Sequence, residues 1–137
     1  MRVVFDSSAF AKRYIEEEGS QAVDEICQNA QAVGLSVICA PEIFSALNRH
    51  RRDGHLDLKD YELIKSQVVS DVGDAMLLDL TPTVLARAIA LLETNTLRAM
   101  DSLHIACALE WRADLFVTAD QRQLAAAHNA GLPSQLV

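Results

Sequence analysis

Short apolar runs alternate along the chain with longer segments whose apolar residues recur every three or four positions. Arg2 to Phe5 is a β-branched and aromatic run closed by Asp6, the pattern of a buried strand that opens into a helix or turn. Beyond Ser20, the positions of Ala22, Val23, Ile26 and Ala30 predict a helix with Ser20 as its cap and Gly34 as its stop. Leu35 to Cys39 predicts a second strand. Pro41 suits the first position of a helix that carries Ile43, Phe44, Ala46 and Leu47 and reaches Asp53-Gly54. A further helix is expected from Asp57 to about Gly73, and Ala75 to Leu80 predicts the third strand. Thr81-Pro82 starts a helix that ends near Asn95, and another spans Arg98 to Arg112. Leu115 to Thr118 is the fourth predicted strand. Asp120 can cap a helix through Asn129, with Gly131 as its stop and Ser134 to Val137 as a final strand.

Strands alternating with helices, without repeats or linker-like stretches, predict a single α/β domain over residues 1–137 with helices layered on a mainly parallel sheet. Ligands of such sheets bind beyond the carboxyl ends of the strands. Asp6 and Asp120 both stand there, although each also suits a helix cap. Asp101 lies in a segment, Ala99 to Leu109, too apolar for a solvated helix face. Its charge needs either a partner, Arg98 or His104, or a cation in a cleft. Glu42 falls in a first helical turn, where the helix dipole favours an acid, and the small Ser45 and Ala46 leave space around it. His104 suits a hydrogen-bonded core residue or, alternatively, a ligand or base.

A chain of 137 residues that is half apolar can bury a core without disulfides or a structural metal, so any metal would serve chemistry. The three cysteines, Cys27, Cys39 and Cys107, are odd in number and lack Cys-x-x-Cys spacing, which argues against a disulfide framework or thiolate zinc site and suits a reducing cytoplasm. No run approaches 18 apolar residues, and Asp6 interrupts any signal-like start, so neither membrane spanning nor secretion is expected. A net charge of −7 opposes a polyanionic partner unless the acids gather metal. Were Asp6, Glu42, Asp101 and Asp120 to converge, their repulsion would call for a divalent cation, and carboxylates alone select the hard ions Mg²⁺ or Mn²⁺. Two such ions carry four positive charges and would bring the −7 to −3 where a phosphodiester must sit. Arg49, Arg51 and Arg52, with Lys12 and Arg13, suit either solvated helix ends or an edge that follows phosphates.

The segments Val3-Val4-Phe5-Asp6-Ser7-Ser8-Ala9, Pro41-Glu42-Ile43-Phe44-Ser45-Ala46-Leu47, Ala99-Met100-Asp101-Ser102-Leu103-His104-Ile105-Ala106 and Val117-Thr118-Ala119-Asp120 are each weak signals. Their order and spacing together resemble the PIN domain, especially the VapC-type ribonuclease toxins of bacterial and archaeal toxin–antitoxin modules. The resemblance implies a three-layer fold with a five-stranded sheet in the order 3-2-1-4-5. It also implies an endoribonuclease that uses Mg²⁺, with Mn²⁺ able to substitute, and water activated by the metal. Asp6, Glu42, Asp101 and Asp120 then correspond to the acidic metal-site positions, with Ser7 and Thr118 as supporting hydroxyls. A homodimer and a cognate antitoxin are implied partners. The segment after the last acid, Gln121-Arg122-Gln123-Leu124, departs from the aromatic residue that many members carry there. Alternatives are a catalytically silent PIN-like or response-regulator-like module that binds Mg²⁺, and a haloacid-dehalogenase-like phosphatase. Against the phosphatase, Ser8 stands where that chemistry needs a second acid.

Overall fold

The computed structural model describes residues 1–137. Its centre is β1 (Arg2–Phe5), flanked by β2 (Ala32–Ser36) and β4 (Leu115–Thr118), with β3 (Met76–Leu78) and β5 (Ser134–Leu136) at the edges. All four pairings are parallel, in the order β3-β2-β1-β4-β5. The strands are joined through α1 (Ser7–Phe10), a 3-10 turn at Ala11–Arg13, α2 (Ser20–Asn29), α3 (Cys39–Arg52), α4 (Leu58–Asp74), α5 (Pro82–Thr94), α6 (Ala99–Glu110) and α7 (Gln121–Asn129).

Side chains of a strand point alternately to opposite faces, and this alternation divides the interior in two. Val3, Phe5, Leu35 and Val117 pack with Phe10, Val23, Ile43, Leu47, Tyr61 and Val68 from α1 to α4. Val4 and Phe116 face the other way, onto Val84, Ala88 and Leu91 of α5, Ile105, Ala106 and Ala108 of α6, and Ala126 and Ala127 of α7. The protein is therefore a three-layer α/β sandwich. Small residues dominate the inner faces of α6 and α7, which lets both helices lie close to the sheet.

Most predicted elements recur, with four informative shifts. The second strand starts three residues earlier than its apolar run indicates, so Gly34 lies inside β2 rather than ending α2. A Cβ at Gly34 would come within 2.8 Å of the Trp111 ring, which leaves glycine to permit that close approach. Ser20 is the first residue of α2 while Gly19, at φ 93°, occupies the cap position, and the Ser20 hydroxyl accepts the N–H of Glu17 instead. α3 begins at Cys39, two residues before Pro41, and β3 is limited to three residues at the sheet edge. The stop at Gly131, at φ 78°, is as predicted.

Phe116 of β4 is fully buried against the layer formed by α5, α6 and α7. Its replacement by Ala is expected to cost about 3–5 kcal/mol of folding stability. Urea denaturation checks this, and a loss below about 1 kcal/mol would contradict the packing described.

Candidate active site

Asp6 follows the last residue of β1, and its backbone N–H still bonds the Val117 carbonyl, so the carboxylate is carried on the central strand. It is 1 % exposed and richly solvated by protein. Oδ1 accepts the Ala9 N–H at 2.9 Å, which caps α1, and the Ser8 hydroxyl at 2.9 Å. Oδ2 accepts from Ser8 at 2.7 Å, from the Thr118 hydroxyl at 2.9 Å and from Gln123 Nε2 at 2.7 Å. Asp101, buried in the first turn of α6, shares the last of these donors: Gln123 Nε2 also reaches its Oδ1 at 3.2 Å. Arg98 Nε meets the other oxygen at 3.3 Å, but its side chain is 79 % exposed, so this pair does little to neutralise Asp101.

Glu42 reaches the same end of the sheet from the opposite layer. Its Oε1 accepts the Ser7 hydroxyl at 2.7 Å and lies 2.6 Å from Nε2 of His104. That short contact with a carboxylate gives Nε2 the proton. His104 is itself 1 % exposed and its Nδ1 has no partner. Asp120 serves as the cap of α7, its Oδ1 accepting the backbone N–H of Arg122 at 2.7 Å and of Gln123 at 3.3 Å. Its own N–H donates to the Thr118 hydroxyl at 3.0 Å.

The sequence-derived acids thus gather at one end of the sheet in two groups, Asp6–Gln123–Asp101 and Ser7–Glu42–His104, rather than in one cluster. No three acidic, histidine or cysteine side chains come close enough to hold a single ion. The physical reason is that Glu42 is held by Ser7 and His104, while Asp120 is turned to its helix. The donor set nevertheless suits a hard ion, because Mg²⁺ is usually held by one or two carboxylates with waters and phosphates completing its shell. Asp6 and Asp101 converge on one point, and beside that point Gln123 Oε1 is buried without a partner. Cys39 borders the site, and burial pushes its thiol up to about 12.

The basic residues lie elsewhere. Arg49 and Arg52 are exposed at the end of α3, and Arg51 stacks over Tyr61 with its guanidinium carbon 4.5 Å from the ring centroid. Lys12 pairs with Glu17, and Arg13 with Asp24 and Asp71 at 3.3 and 3.4 Å. His104 and Gln123 were the partners that sequence reasoning placed least well. The signal for Gln123 was its spacing: with Ala126 and Ala127 it forms one face, so an amide occupies the apolar side of α7.

These features define an open parallel sheet with an acidic site at the carboxyl ends of its central strands. The model of the PIN domain matches residues 3–129. The chain belongs to the PIN domain family. Ribonuclease VapC45 of Mycobacterium tuberculosis is 33 % identical over 143 aligned residues, covering 98 % of this chain and 96 % of that one. Among solved structures, VapBC2 of Rickettsia felis bound to a promoter DNA fragment superposes with TM-score 0.70 at 12 % identity, covering 100 % and 99 % of the two chains. Mycobacterium tuberculosis VapC20, described as a toxin cleaving the sarcin-ricin loop, superposes with TM-score 0.68 at 16 % identity over 90 % and 94 %. The fold is the VapC type. No helix is long and apolar enough to cross a membrane.

The carboxylates titrate differently. Burial raises the pKa of Asp6, and its bonds from Ser8 and Ala9 with the His104 charge do not cancel that effect. At Glu42 burial also pushes upward, but the hydrogen bonds of His104 and Ser7 outweigh it and hold the carboxyl below its ordinary range. A depressed folded pKa contributes stability above the unfolded value, lost as pH falls through the folded one. Glu42→Gln, which removes the charge from these bonds, is therefore expected to lower stability at pH 7 by about 1 kcal/mol. The gap should hold above the ordinary Glu value of about 4.3 and shrink as the pH falls below it through the lowered folded value. Calorimetric melting of both proteins across that range tests this; a gap that persists in acid would contradict the assignment.

Proposed function

We propose that this chain is a metal-dependent endoribonuclease, the toxin of a toxin–antitoxin pair, acting through residues 1–137 as one nuclease domain. The observation that carries the reading is the convergence of Asp6 and Asp101 on a single point at the carboxyl end of the central strand. It is supported by 33 % identity to a ribonuclease over 98 % of the chain. In this reading Asp6 and Asp101 would hold Mg²⁺, or Mn²⁺ in its place, and the bound ion would supply positive charge for the phosphodiester and Lewis acidity for a water nucleophile.

The protein's own contribution is orientation. Ser8 and Thr118 fix the carboxylate plane of Asp6. Glu42, kept anionic by Ser7 and His104, directs the attacking water and accepts its proton at the oxygen left free. Asp120 holds the start of α7, and with it Gln123, against the pair. RNA follows the arginines at the end of α3 only where they are unpaired, which favours Arg49 and Arg52 over Lys12 and Arg13. An antitoxin and a second copy of the chain are the protein partners of this reading.

A second reading has its own support in the geometry. Both oxygens of Asp6 are engaged by protein donors, no three ligating side chains meet, and Asp120 is a cap. Taken without the relatives, this arrangement is closer to a module that binds Mg²⁺ and does not turn over.

Cleavage of structured RNAs by purified protein with Mg²⁺ or Mn²⁺ separates the two. The nuclease reading expects cleavage that is abolished by EDTA and falls more than the roughly 10- to 100-fold typical of outer-shell changes in Asp101→Asn of equal thermal stability. Metal-dependent RNA binding without products would establish the silent module, and cleavage surviving both controls would exclude the carboxylate–metal mechanism.

A further inference from the structure

Gln123 occupies a position whose neighbours call for an apolar side chain. Ala126 and Ala127, three and four residues on, are fully buried against the sheet, and Gln123 itself is 3 % exposed. Its two polar atoms fare unequally. Nε2 bridges Asp6 at 2.7 Å and Asp101 at 3.2 Å, whereas Oε1 has no partner at all. A buried acceptor left without a donor is unfavourable. Only the nitrogen therefore accounts for an amide here. Its orientation follows from charge, since an amide turned the other way would set oxygen against two carboxylates.

We propose that Gln123 is a clasp on the Asp6–Asp101 pair: its amide holds the two carboxylates together in the metal-free protein and must leave them when a divalent ion binds, so that Gln123 weakens and thereby sets metal affinity. The inference rests on the reading of Asp6 and Asp101 as the metal-holding pair. Two carboxylates facing one point repel unless something positive lies between them. Two N–H dipoles supply part of that positive potential, and a divalent ion supplies more. The ion and the amide would compete for the same space, because an ion held by both carboxylates would have to lie between them, where the nitrogen now sits. Asp120 keeps the competitor in place by capping the backbone N–H of Gln123. Gln123 is thus a positioning residue in the free protein and an opponent of the ion during loading.

The test is titration of purified full-length protein with Mn²⁺ by calorimetry, with melting temperatures measured in its presence and absence. Gln123→Met keeps length and bulk but removes the donor, and Gln123→Asn keeps an amide one methylene too short to span both oxygens. Either variant is expected to melt lower than wild type without metal, to bind Mn²⁺ about three- to tenfold more tightly, and to gain more from Mn²⁺ on melting, consistent with the loss of about one net hydrogen bond. Mn²⁺ affinity that is unchanged or weaker in a folded variant overturns the clasp; a residue that only supported the structure would give that result. Asp101→Asn distinguishes the two levels of inference. If it loses Mn²⁺ while the Gln123 variants bind no tighter than wild type, the metal pair stands and the clasp falls. If it binds Mn²⁺ as wild type does, or none of the proteins binds, the metal pair falls and the clasp with it.

Discussion

The carboxylate of Asp6 sits at the end of the central strand with almost no access to water, and its burial constrains everything around it. An isolated charge moved into an apolar interior is unfavourable by far more than the net stability of a domain, so its donors must be in place in the folded state. They come from three different elements: Ser8 and Ala9 of α1, Thr118 of β4, and Gln123 of α7. The register of the sheet arranges this. Phe5 pairs with Val117, so the residues that follow them, Asp6 and Thr118, come side by side. A slip by one residue would turn Val117 and Phe116 to the wrong layers and remove the Thr118 hydroxyl from Asp6 together. Core packing and site chemistry therefore specify the same alignment.

The two helical layers are otherwise separated by the sheet, and they meet beyond its carboxyl edge through polar contacts. His104 belongs to α6 in one layer and Glu42 to α3 in the other, and their 2.6 Å contact joins the two. Asp101 precedes His104 by three residues on the same helix face, so one turn of α6 serves both polar groups. The next turn, Ile105 to Ala108, is wholly buried and apolar. Rigid packing of that turn fixes where Asp101 and His104 can reach, which is how an unspecific small-residue core becomes precise at a polar edge.

Strand–helix alternation made the architecture legible, because alternating apolar runs and 3.6-residue periodicity are carried by composition within each segment. Boundaries depend on tertiary contacts and were less so. Nothing local marks Gly34 as a strand residue; the reason is Trp111, 77 positions later in the chain, lying against it. The four acids were legible as residues whose burial or position needed explanation, and the structure brings all four to the same end of the sheet. Their partners were not. Whether Asp101 pairs with Arg98 or His104 depends on Gln123 and Glu42 arriving from other elements, and only the folded chain shows that His104 turns to Glu42 while Gln123 takes the shared position.

Asp120 shows why a choice between helix cap and site residue can be a false one. Its Oδ1 caps α7, as the bland reading of its position holds, and that cap is formed on the backbone N–H of Arg122 and Gln123. Gln123 in turn carries the nitrogen shared by Asp6 and Asp101. The Asp120 N–H also donates to the Thr118 hydroxyl, whose proton goes to Asp6. Asp120, whose carboxylate touches none of the other three acids, is thus linked to Asp6 by two short chains of hydrogen bonds, one from the carboxylate through a helix start and one from the backbone N–H through a strand end. Replacing it by Asn would preserve much of the cap, since both residues suit that position. What Asn would alter is the negative charge beside the start of α7, and hence the electrostatic setting of the amide that divides the two buried acids.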